Sequence, residues 1–193
     1  MMQVLLLVTI MGFTFNLGAG QPLIEGQARS AVHVLIFEDL QCTDCAAFRR
    51  MMDEKLLPRY EARISFEHRD FPVAKHPWAR KAAIASRALL EISPKLALDF
   101  RREILAHISE TTTATFNDRV TSFANAHNVK PVRVLASLND PKLNALVEKD
   151  IQDGVSRGVA HTPTVFVNGQ PFVETFTFEE ISQAIDAELA RNP

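Results

Sequence analysis

Cysteine is scarce in this chain. Only two occur in 193 residues, Cys42 and Cys45, so any disulfide would consume both and the fold must stand on its hydrophobic core. A basic excess is lacking as well. Lys and Arg number 21 against 23 Asp and Glu, a net charge of −2, which leaves nucleic acid and polybasic membrane contacts without support. No apolar run reaches the ~20 residues of a membrane span, and no internal repeat or low-complexity segment occurs. What is present is core material: 47% hydrophobic against 23% charged residues. That balance describes one sizeable folded domain, or one domain carrying a large insertion, and excludes disordered and fibrous classes.

Charge is also missing from the N-terminus, where no ionised side chain precedes Glu25. Val4 to Met11 is almost purely apolar, and Gly18-Ala19-Gly20 offers small residues before Gln21. Residues 1–20 thus read as a secretory signal, which places the mature chain in the periplasm or outside the cell. A Lys or Arg ahead of the apolar run is absent, and an N-terminal strand of the fold is the alternative reading.

Both cysteines fall in Phe37-Glu38-Asp39-Leu40-Gln41-Cys42-Thr43-Asp44-Cys45. Ala31 to Phe37 before them is a nearly continuous apolar, β-branched run, as a strand covered on both faces requires. His33 within it reads as structural. After Cys42 the pattern turns helical, with Cys45, Phe48, Met52 and Leu56 on one face, Arg49 and Arg50 mostly off it, and Pro58 near its end. A C-x-x-C pair entered from a strand is a thioredoxin-type redox motif. Side chains at i and i+3 lie roughly 5–6 Å apart on a helix, which suits a reversible disulfide. Unpaired N–H groups and the helix dipole favour a thiolate at the helix start. Cys42 is therefore the expected nucleophile, and Cys45 the resolving partner.

Residues 21–30 read as a loop. Ile64 to Arg69 alternates as a half-buried strand, which completes a βαβ unit with parallel pairing. Residues 76–157 carry one apolar helical stripe after another and read as an all-helical insertion. Thr164 to Val167 returns to strand, Asn168-Gly169 is a hairpin turn, and Thr177 to Glu180 has the form of a capping box before a closing helix. The fold class is α/β: βαβ, a helical insertion (76–157), then ββα, with the sheet domain built from 21–75 and 158–193.

Three blocks in this order resemble the thioredoxin-like DsbA family: Phe37 to Cys45, Arg69-Asp70-Phe71-Pro72 with His76-Pro77, and Gly158 to Gly169. The resemblance implies a thiol–disulfide oxidoreductase that exchanges disulfides with protein substrates and is reset by a redox partner, with no cofactor. It also implies that Pro163 is cis and faces the cysteines, so that Thr162 and Pro163 form a platform for an extended peptide. The other reading of Pro163 is a trans proline opening a strand. The chain departs from the family in four places. Thr43-Asp44 fills the gap where many relatives have Pro or His. Ile36 stands where relatives bury a carboxylate six residues before the first cysteine, leaving Glu38 and Asp39 as candidate proton carriers, at least one of them expected on a solvated loop. His161 replaces a usual glycine, either to donate to the Cys42 thiolate or as a surface histidine. Thr162 replaces the valine of the strong oxidase, a choice that resembles reductases and isomerases.

Two expectations follow. Asp44 repels the Cys42 thiolate and makes the pair a milder oxidant than DsbA. A monomer is expected, because no N-terminal dimerisation domain like that of the dimeric isomerases precedes the motif. A rival function uses Cys42 and Cys45 as soft ligands for Cu(I); structural zinc lacks the further ligands it needs.

Overall fold

The computed structural model describes Gly18 and residues 20–192. The apolar leader with its proposed signal therefore lies almost wholly outside the described residues. Strand β2 (His33–Glu38) is the centre of a five-stranded sheet of order β1-β3-β2-β4-β5. It pairs in parallel with β3 (Ser65–Asp70) and antiparallel with β4 (Thr164–Val167), which turns through Asn168-Gly169 into β5 (Gln170–Val173). Both turn residues have positive φ, 44° and 94°, as the hairpin reading requires.

The outer strand β1 (Leu23–Gly26) corrects the sequence reading of 21–30 as a loop. It pairs antiparallel with β3, placing Leu23 opposite His68 and Glu25 opposite Phe66. Only four residues long and containing a charge and a glycine, it lacks the apolar alternation that marks a strand. Gly26 nevertheless has to be glycine: its φ is +86°, and a Cβ would sit 2.6 Å from the Ile64 carbonyl oxygen.

Helix α1 (Thr43–Met51) runs through a π-helical stretch (Met52–Leu56) into α2 (Leu57–Tyr60), so the helix expected from Cys42 to Tyr60 is present with a widened middle. Its stripe of Phe48, Met52 and Leu56 packs with Val34, Ile36 and Phe66 on one face of the sheet. Ile181 and Ile185 of α8 (Phe178–Arg191) close that layer. The capping box at Thr177 and Glu180 starts α8 as the sequence implies.

Between β3 and β4 the chain is helical: α3 (Ala79–Leu90), α4 (Pro94–Ala106), α5 (Phe116–Ala126), α6 (Pro131–Ser137) and α7 (Pro141–Ser156). Helix α7 lies on the second face of the sheet, over Phe37 and Phe71. Its Gly154 permits the approach, since a Cβ there would meet the Phe71 ring at 2.8 Å. The other helices bury Trp78, Leu89, Phe100 and Phe123 in a core that includes Cys42 and Cys45. The cysteine pair thus sits at the seam between sheet and helical layer. His33 is exposed at the strand start, its Nδ1 2.6 Å from Ser65 Oγ.

Candidate active site

Cys42 occupies the N-cap of α1 in an extended conformation (φ −93°, ψ 127°), with no side chain capping the first turn. The open N–H groups of that turn are therefore left for the sulfur itself. Cys42 is 8% exposed and Cys45 is fully buried; both are free thiols. The peptide bond between Thr162 and Pro163 is cis, as the resemblance implies. Thr162 brings its carbonyl oxygen to 3.2 Å from Cys42 Sγ, where it accepts from the thiol.

The two thiols are pushed in opposite directions. Cys42 is lowered from 9.0 to about 6, first by the hydrogen bond from Cys45. Burial opposes that shift, while the backbone N–H groups of Cys45 and Asp44 and the Thr162 side chain reinforce it. Cys45 is raised well above 9.0 by burial, by its bond to Cys42 and by the Cys42 charge, with the Glu38 charge adding to the rise. Asp44 acts here through its backbone N–H, which favours the thiolate, so the repulsion expected from its carboxylate is not what governs Cys42. Its exposed side chain lines the same cleft as Cys42. That cleft, of about 350 Å³, is also walled by Gln41, His76, His161 and Glu174. The exposed His161 turns Nδ1 to Glu174 Oε1 at 3.0 Å, and no bond to Cys42 is seen.

Neither Glu38 nor Asp39 is solvated, contrary to the expectation for at least one of them: they are 3% and 1% exposed. Asp39 ties the site together. Its N–H donates to Cys45 Sγ (3.4 Å), Oδ1 accepts from the Gln41 N–H (2.6 Å), and Oδ2 accepts from the Val73 N–H (2.7 Å) and His76 Nδ1 (2.8 Å). Glu38 instead enters a buried ionic cluster. Its Oε1 lies 2.5 Å from His68 Nδ1 and 3.2 Å from Arg101 Nε. Burial alone would raise the Glu38 carboxyl; Arg101 and His68 outweigh it and hold the group at about 2. Arg101 also binds Asp70 (2.7 Å), and Arg87 joins Asp70 (2.7 Å) to Asp150. On the other side His68 reaches Glu25 at 3.3 Å, and Glu25 is bound by Arg49 at 2.8 Å and by Arg102.

Sequence reasoning missed this cluster, although the helical period carried its signal. Arg101 shares a face with Ile104 and Ile108, three and seven residues on. Arg49 stands four after Cys45 and three before Met52, squarely on the stripe it was placed off, and is 4% exposed. His68 pairs with Ile36 across β2 and β3, so the cluster borders the position where relatives bury their acid. His76 was read only as part of a motif.

A mixed sheet with C-x-x-C at the N-terminus of the helix after its central strand, against a cis X–Pro bond, defines a thioredoxin-like fold of the DsbA kind. The thioredoxin family pattern matches residues 19–187, and the chain belongs to that family. Disulfide bond formation protein D of Bacillus subtilis is 25% identical over 185 residues, spanning 89% of this chain and 81% of that protein. The crystal structure of oxidised BdbD from Bacillus subtilis superposes with a TM-score of 0.78 at 23% identity, covering 89% of this chain and 94% of that one. Wolbachia pipientis alpha-DsbA1 gives 0.75 at 18% identity over 86% and 89% of the two chains. These structural likenesses establish the fold.

Proposed function

We propose that the protein is a thiol–disulfide oxidoreductase of the DsbA type acting on protein thiols, with Cys42 as nucleophile and Cys45 as resolving cysteine. The observation that carries this is the asymmetry of the pair: one thiol at the rim with its thiolate favoured, the other fully buried with its thiolate disfavoured. A substrate sulfur reaches Cys42 from the cleft, and Cys45 stands behind it. Thr162, whose carbonyl oxygen accepts from Cys42 Sγ, and the buried Pro163 that follows it are the proposed substrate platform. Residues 21–75 and 158–193 form the redox unit in this reading, and 76–157 the cap over it. The fold's exchange chemistry needs no cofactor, and a second thiol protein resets the pair. The protein acts as a monomer in the periplasm or outside the cell.

The proposed poise is milder than that of DsbA. A Cys42 near 6 falls between the thiols of thioredoxin, about 7, and DsbA, about 3.5. Equilibrating the pair in a glutathione series is the direct test. The potential is expected between about −270 and −120 mV, the thioredoxin and DsbA values; a potential at either extreme, or no equilibration at all, contradicts the reading. Export has its own check. N-terminal sequencing of the native protein is expected to begin near Gln21, and an intact Met1 on the native protein overturns the proposal. Cu(I) held by the two thiols is the second reading, and it gains no third ligand: among the described residues no group of three or more His, Cys, Asp or Glu could hold a metal ion.

A further inference from the structure

His76 has no part in the exchange described so far, yet its position is that of an oriented base. It lies in the connection between β3 and α3, its side chain 19% exposed, and it walls the cleft that holds Cys42. Nδ1 is 2.8 Å from Asp39 Oδ2, and a carboxylate oxygen can only accept, so Nδ1 carries the proton. Nε2 makes no hydrogen bond among the described residues, and in the neutral ring it is the nitrogen that carries the lone pair. Asp39 is itself held by the Gln41 and Val73 N–H groups, so the carboxylate and the ring cannot drift. A buried carboxylate that fixes a tautomer and leaves the far nitrogen as base is a recurring arrangement for activating a nucleophile. Lys75, Asp44, His161 and Glu174 are the other charged or titratable groups around the cleft, and His161 is engaged with Glu174.

Resting on the exchange function proposed above, we infer that His76 Nε2 is the general base that deprotonates the substrate thiol. A protein thiol with a pKa of about 8.5 is only a few per cent ionised at neutral pH, and the thiolate is the attacking form. Nε2 takes the proton of the first substrate thiol as its sulfur attacks Cys42 Sγ. The Cys42–Cys45 bond breaks, its electron pair goes to Cys45, and Cys45 takes up one proton from solvent. After His76 gives its proton to solvent, it accepts that of the second substrate thiol. The second sulfur attacks the first and the mixed disulfide breaks, releasing Cys42 as thiolate. His76 passes this second proton to solvent as well, so the substrate loses two electrons and two protons, the enzyme keeps the electrons and the one proton on Cys45, and one proton is released net. In the reducing direction the same nitrogen returns the proton to the departing thiolate.

The test measures oxidation of a dithiol peptide by the full oxidised chain, comparing wild type with His76→Asn, which retains a donor for Asp39; His76→Gln replaces it should the first variant fail to fold. Loss of the base leaves only the few per cent of peptide already ionised, so exchange is expected to slow by about 10- to 30-fold at neutral pH. The deficit should close as pH rises past about 8.5, where the peptide ionises unaided, and should be small for an aromatic dithiol already ionised at neutral pH. Alkylation of Cys42 in the reduced variant, which involves no substrate thiol, should keep its wild-type rate. A loss that is equal at all pH values and for both thiols, or no loss at all, overturns the role of His76 and leaves the exchange function standing. A wild-type protein that exchanges with neither dithiol overturns both.

Discussion

Replacing Arg101 with alanine is expected to destabilise the protein by about 3–5 kcal/mol, the range for removing one partner of a buried ion pair. Arg101 is 3% exposed and answers two buried carboxylates, Glu38 and Asp70, through bonds of 3.2 and 2.7 Å. Its own charge is held by the same pair: burial would lower its pKa, and Glu38 and Asp70 raise it instead. Without the guanidinium, Glu38 keeps the whole penalty of burial and only His68 as a close partner. The Glu38 shift from 4.5 to about 2 is itself worth on the order of 3 kcal/mol. Because that carboxyl is depressed in the folded state, the stabilisation is fully present above 4.5 and is lost as pH falls through about 2. Arg101→Ala should therefore lower the denaturant midpoint at neutral pH and narrow the stability difference from wild type as the solution is acidified. Arg101→Lys keeps the charge without the planar fork and should recover part of the loss. Equal stability of wild type and Arg101→Ala at neutral pH would show that the cluster does not carry the fold.

Replacing the cysteines should have opposite outcomes on the same substrate. Cys42→Ser is expected to abolish exchange, because the remaining Cys45 is fully buried and its thiolate is disfavoured. Cys45→Ser is expected to retain attack and lose resolution. Mixed disulfides between Cys42 and substrate thiols should then accumulate and survive until an external thiol is added. Non-reducing electrophoresis reads both results. If Cys42→Ser trapped substrate and Cys45→Ser did not, the two roles would be reversed.

The parts of this site that were legible in the sequence are the local ones. C-x-x-C after an apolar strand, Asn168-Gly169 and the Thr177–Glu180 box each depend on residues within a few positions, so their patterns survive in one dimension. The cis bond at Pro163 came from resemblance rather than from any period. What escaped was made by distant pairing. β1 exists because Leu23 to Gly26 finds the free edge of β3, and Glu25 is buried because Arg49 and Arg102 are waiting there. At least one of Glu38 and Asp39 was expected on a solvated loop because the charged partners that bury them are distant in sequence. Their partners lie on β3, on α4 and in the connection that carries His76. At Asp44 two local effects compete: the neighbouring charge is plain in the sequence, while the backbone N–H that its helix position supplies favours the thiolate and shows only in the structure.

The division of labour between the two thiols is tested most directly by alkylating the reduced protein with iodoacetamide across a pH series and locating the label by peptide mapping. Cys42 should label with a midpoint at about 6 while Cys45 stays unmodified throughout its titration. A Cys42 midpoint at the free-thiol value of about 8.5, or label appearing first on Cys45, would contradict the account.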